Sequence, residues 1–157
     1  MTAPSLSLSP TLPLSGRCRC GAIEFDLTAP PIMTAACHCT GCQRMSGSAF
    51  SLTAMVPEGG LIVTKGEPVI GGARTPGLEH YHCPDCKSWI FTRPAGVDFV
   101  NLRPTLLDDA TWFAPFIETM TSAKLPWVSL PVARSYEGFP EMAELGPLME
   151  AYAASRA

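Results

Sequence analysis

The chain has 157 residues, 46% of them hydrophobic and 16% charged, with a formal net charge of -3. That length suits one domain with a core of its own, and that hydrophobic share makes the domain globular. The acidic balance, with no basic cluster interleaved with aromatics, excludes nucleic acid as a partner, because collecting phosphates needs a basic face.

Residues 1–15 are rich in Ser, Pro and Leu, lack a basic leader, and carry Pro4, Pro10 and Pro13, which interrupt every apolar run. The stretch reads as a flexible N-terminal arm, not a signal peptide. No later stretch approaches the roughly 20 apolar residues that span a bilayer. The expectation is a cytoplasmic protein with reduced thiols and no membrane partner.

After Gly16, the pair Cys18-Arg19-Cys20 opens a strand over 22–27, where Ile23, Phe25 and Leu27 alternate with Ala22, Glu24 and Asp26. The run Cys37-His38-Cys39-Thr40-Gly41-Cys42 then places three thiols and an imidazole within six residues. A thiolate is both a soft zinc ligand and a nucleophile, whereas clustered free thiols invite oxidation. Cys39 and Cys42 have the spacing that lets two sulfurs meet one ion around a tight turn, with Gly41 supplying permissive backbone, and Cys37 is near enough to be a third ligand.

Residues 49–56 and 61–64 read as adjacent strands on either side of the turn Pro57-Glu58-Gly59-Gly60. Glycine and proline punctuate 66–77 too densely for a helix, leaving short strands at 69–70 and 78–82, the second of which delivers Cys83-Pro84-Asp85-Cys86. Strands at 89–92 and 97–103 complete the pattern of a small all-β sandwich or barrel-like domain over 16–140. No helical period occurs there. A tail over 141–157 carries a short terminal helix that Pro147 is positioned to start, with Leu148, Met149 and Tyr152 at helical spacing.

The seven cysteines thus divide as four in two separated pairs and three in one run. Closed tetrahedral sites are structural, while three-ligand sites keep an open position. Disulfides in a secreted domain are the competing reading, but a Cys18–Cys20 bridge would be strained. Spacing does not fix which pairs face each other, so a partition in which Cys37 or His38 changes sites stays open.

The segments Gly16 to Ile23, Cys37 to Arg44 with Ser46-Gly47-Ser48-Ala49-Phe50, and Cys83 to Cys86 together resemble the glutathione-dependent formaldehyde-activating enzyme family, which includes centromere protein V. The resemblance implies a tent-like all-β fold shared with methionine sulfoxide reductase B. It further implies a structural zinc on Cys18, Cys20, Cys83 and Cys86 and a catalytic zinc on Cys37, Cys39 and Cys42, hence two zincs per chain. The implied activity is of the carbon-sulfur lyase type, joining formaldehyde to glutathione as S-hydroxymethylglutathione. Two departures bear on substrate: Lys87 stands where the family usually has glycine, and the segment from Glu118 to Trp127 lacks the family's usual His and Trp before Ser-Lys.

Around the three-thiol run, His38 is a candidate proton shuttle or partner to the metal ligands. Arg44 is a candidate grip on a substrate carboxylate, with Ser46, Gly47 and Ser48 as nearby donors and Lys124 and Trp127 as further binding candidates. The expected substrate partner is a small thiol, glutathione or similar, with formaldehyde or another electrophile. The alternative is a non-catalytic glutathione carrier or zinc-stabilised binding module.

Overall fold

The computed structural model describes residues 9–157, apart from the side chains of residues 73 and 74. The first eight positions of the expected arm lie outside the described residues, and strand already begins at Leu14, inside its last two. In chain order the strands are β1 (Leu14–Arg17), β2 (Glu24–Leu27), β3 (Met33–Cys37), β4 (Ser51–Pro57), β5 (Leu61–Lys65), β6 (Val69–Thr75), β7 (Leu78–His82), β8 (Trp89–Pro94), β9 (Phe99–Leu102), β10 (Ile117–Thr119) and β11 (Arg134–Ser135). The helices are α1 (Thr40–Ser46) and α2 (Met142–Ser155).

The strands form a small β-sandwich. Three strands, in the order β1-β2-β5, make one sheet, and eight, in the order β11-β10-β3-β4-β9-β8-β7-β6, make the other. Between them Ile23, Phe25 and Leu27 from the small sheet's side pack on Ala54, Val56, Ile90, Val100 and Leu102. This is the period-two pattern read from the sequence, with the alternating apolar set turned inward.

The other face of the large sheet is covered in part by α2. Leu148 and Tyr152, four residues apart, are buried against Met33, Met55 and Ile117. The sequence reading begins this helix at Pro147, but it begins at Met142. Glu141 and Glu144 form a reciprocal capping box, with the Glu141 backbone N–H donating to the Glu144 carboxylate at 2.9 Å, which satisfies donors that would otherwise be orphaned. Pro147 therefore lies inside the helix.

A second difference is α1, which the sequence reading lacks. None of its seven residues is buried, so it has no apolar period to detect. Its ends hold it: the Cys39 sulfur accepts from the Cys42 backbone N–H at 3.2 Å, and Gly47 closes it in the left-handed conformation at φ 61°. Among the described residues, no helix is long and apolar enough to cross a membrane.

Candidate functional site

All seven cysteines are free thiols, and the fold gathers them into two groups, Cys18, Cys20, Cys83 and Cys86 in one, and Cys37, Cys39 and Cys42 in the other. Within each group the sulfurs lie within 4.8 Å of one another. A tetrahedral zinc with sulfurs at about 2.3 Å sets neighbouring sulfurs roughly 3.8 Å apart. Cys18–Cys20 at 3.6 Å and Cys20–Cys83 at 3.8 Å meet that geometry, so this donor set fits the ion.

The four-thiol group joins two loops, one between β1 and β2 and one between β7 and β8. Each loop turns back on its first cysteine: the Gly21 N–H donates to the Cys18 carbonyl and the Lys87 N–H to the Cys83 carbonyl, both at 3.1 Å. Gly21 and Lys87 take positive φ, 77° and 62°. The Ile23 N–H reaches the Cys18 sulfur at 3.3 Å, and the Ser88 hydroxyl lies 3.1 Å from the Cys86 sulfur, holding that thiol down to about 5. Donors aimed at sulfur favour the thiolate that a metal needs.

The three-thiol group sits where β3 ends and α1 begins. The hydrogen bond with the Cys42 thiol holds Cys37 down to about 5 and pushes Cys42 upward. Cys37 and Cys42 line a cavity of about 280 Å³ on the face of the large sheet turned away from the sandwich core. Strand alternation builds its floor: Met33, Ala35 and Cys37 from β3, Ser51, Thr53 and Met55 from β4, and Phe99 and Asn101 from β9 followed by Arg103. Phe139, Pro140 and Leu145 cover it from the C-terminal segment.

His38 points the other way from Cys37. It is wholly buried, edge-on to Phe50, and its Nε2 lies 2.8 Å from Oε2 of Glu118 on the neighbouring strand β10. Lys124 Nζ donates to both Glu118 oxygens at 3.0 Å and the Ser135 hydroxyl donates to one at 2.7 Å. Gln43 of α1 donates from Nε2 to the His38 carbonyl at 2.7 Å and to the Ala123 carbonyl at 3.0 Å. These bonds clamp the three-thiol turn to β10 and to the 121–124 turn.

The remaining sequence candidates are dispersed. Arg44 is exposed on the last turn of α1. The Ser46 hydroxyl donates to the Cys42 carbonyl at 2.7 Å, and Ser46 and Ser48 line an adjoining cavity of about 480 Å³ with Lys87 and Arg103. Lys124 is engaged by Glu118, and Trp127 is 74% exposed. Neither Arg103 nor Glu118 is among the site residues that the sequence predicts. Glu118, between Ile117 and Thr119 in a short apolar context, carried the detectable signal of a charge in a buried strand.

Fold and site together define an all-β protein with two separate thiol groups fit to hold metal, one of them opening on a cavity. Residues 13–123 match the family described as glutathione-dependent formaldehyde-activating enzyme, and the chain belongs to that family. A relative in Penicillium rubens, provisionally named for the same activity, is 29% identical over 117 residues, covering 66% of this chain and 60% of that protein. One in Sordaria macrospora, likewise provisionally named, is 29% identical over 62% of this chain but only 46% of its own length. A Halomonas elongata relative with the same provisional name is 25% identical over 82% of this chain and 89% of its own. A crystal structure of a Rhodobacter sphaeroides protein shares the fold at TM-score 0.52, 19% identity, and coverage of 60% of this chain and 88% of that one.

Proposed function

We propose that the protein is a zinc-dependent enzyme of the carbon-sulfur lyase type that joins a small thiol, glutathione or a near relative, to an aldehyde. The observation that carries this reading is the three-thiol group with two members on a cavity wall, beside a four-thiol group that lines neither of the two cavities meeting at Arg103. Family membership supplies the thiol and the aldehyde.

Cys37, Cys39 and Cys42 would hold the catalytic zinc, and Cys18, Cys20, Cys83 and Cys86 a structural one. Bound in the three-thiol site, zinc would acidify an incoming thiol at its fourth position. The chain's own residues shape the rest. Met33, Met55, Phe99 and Ile117 give the cavity an apolar wall, which would limit water at the reacting carbonyl. His38, Glu118 and Gln43 are positioning residues that fix the turn bearing the thiols. In the reaction the thiol adds across the C=O bond: a C–S bond forms, the π bond opens, and the sulfur's proton moves to oxygen.

The test is the rate of thiol–aldehyde adduct formation with purified protein against the spontaneous rate, with Cys42→Ser as control. Acceleration that Cys42→Ser abolishes is expected. Equal rates with and without wild-type protein overturn the enzyme reading.

A further inference from the structure

Arg103 is a charged group on the cavity wall that the proposed reaction leaves unexplained. It is 9% exposed, follows β9, and lies with Cζ 4.0 Å above the centroid of Trp89. Of its guanidinium donors, Nη2 reaches the Asn101 carbonyl at 3.1 Å, while the buried Nε has no partner. The Asn101 Oδ1 is buried and unpartnered too, and both residues line the thiol cavity. Among the described residues, no Asp or Glu lines this cavity or the adjoining one that Arg103 also borders.

A buried cation with an unused donor and no carboxylate is costly unless a ligand completes it. Burial lowers its pKa only to about 10, so it is cationic at neutral pH. Guanidinium geometry favours a carboxylate, and the unpartnered Asn101 oxygen accepts from a hydroxyl or N–H beside it. The remaining walls are largely apolar, and about 280 Å³ far exceeds what formaldehyde fills. Glutathione, charged at both ends, would leave those walls unmatched.

We propose that Arg103 binds the carboxylate of the electrophile, so that the aldehyde this protein uses is an apolar chain or ring carrying a carboxylate. This rests on the thiol–aldehyde reading and narrows its substrate class. The addition is the one already balanced, with no oxidant or reductant.

The test compares 6-oxohexanoate with hexanal, each with glutathione, in wild-type, Arg103→Met and Arg103→Lys protein, and measures binding of unreactive hexanoate by calorimetry. Expected are a wild-type preference for 6-oxohexanoate and a loss of about tenfold to a hundredfold for it alone in Arg103→Met, with partial rescue in Arg103→Lys. Hexanoate affinity should fall by a similar factor. Absence of turnover with any aldehyde would defeat the enzyme reading, yet hexanoate binding would still test Arg103. The proposal is overturned by wild-type failure to bind hexanoate or by equal slowing of both aldehydes. Loss of zinc in Arg103→Met also overturns it, as does an effect that vanishes when glutathione is replaced by its diethyl ester, which would assign Arg103 to the thiol.

Discussion

His38 Nε2 and Glu118 Oε2 stand 2.8 Å apart in a position sealed from solvent, one residue from the thiols on one side and at the end of a Lys124–Ser135 network on the other. The parallel pairing of β10 with β3, which sets Glu118 opposite Ala36 and Thr119 opposite Cys37, makes this contact possible. The imidazole is thereby a strut between two strands. Its distance from the cavity follows from alternation, since Cys37 and His38 must face opposite sides.

Glu118→Gln is expected to destabilise the protein, toward the lower end of about 3–5 kcal/mol, because it strands a Lys124 ammonium that is still 23% exposed. The pH dependence carries the same information. Burial pushes the Glu118 carboxyl up, but hydrogen bonds from Ser135, Lys124 and His38 outweigh it and hold the group below the ordinary carboxylate value. With a depressed folded pKa the unfolded chain binds more protons. The stabilisation is therefore complete above the unfolded value, about 4.3, and is lost as pH falls through the folded one. Urea unfolding of wild type from pH 6 to 3 should show a steeper loss than Glu118→Gln; parallel curves would exclude this role.

Lys124 and Trp127 separate by the same measurement. Lys124→Met removes the counter-charge of a buried carboxylate, whereas Trp127 is 74% exposed. Trp127→Ala is expected to change stability by less than about 0.5 kcal/mol. Lys124→Met should be clearly destabilising, with a coupling of about 0.5–3 kcal/mol to Glu118→Gln in a double-mutant cycle. Unchanged stability with a raised KM in Lys124→Met would instead make Lys124 a substrate contact.

What could be read in the sequence was local. The alternation of Ile23, Phe25 and Leu27 announces β2, and the short cysteine spacings announce two thiol groups, because both depend on neighbours within a few residues. β3 and β10 did not announce themselves: Met33-Thr34-Ala35-Ala36-Cys37 is covered on both faces, so its polar and apolar residues do not alternate with exposure. Arg103 was hidden for a related reason. Phe99, Asn101 and Arg103 form the second face of β9, which reads as a solvent face until α2 and the 139–145 segment are seen to roof it.

Lys87 holds φ at 62° in the turn after Cys86. A side chain there costs about 1–2 kcal/mol, while glycine loses about 0.5–1 kcal/mol more chain entropy on folding. The balance favours glycine, so Lys87→Gly is expected to stabilise the zinc-loaded protein by up to about 1 kcal/mol. Thermal unfolding of the two proteins checks it. A lower Tm for the variant would mean that the Lys87 ammonium, which donates to the Pro84 carbonyl, contributes more than the backbone strain removes.

The two thiol groups should part company when their ligands are removed. Cys83 and Cys86 follow β7, while Cys18 and Cys20 follow β1 in the other sheet, so an ion on all four closes a loop across the sandwich edge. Breaking it removes a cross-link as well as a metal, and metal affinity at such sites is part of the folding free energy. Cys37, Cys39 and Cys42 lie within six residues, and the turn that bears them is already tied to α1 and to β10 by the Gln43 and Glu118 bonds to His38, so their ion closes almost no loop. Elemental mass spectrometry is therefore expected to give about two zincs for wild type. Cys42→Ser should hold about one and keep a Tm close to wild type, whereas Cys86→Ser should lose its folded signal by circular dichroism. A Cys42→Ser protein that unfolds together with its zinc loss would instead make the three-thiol group the structural one.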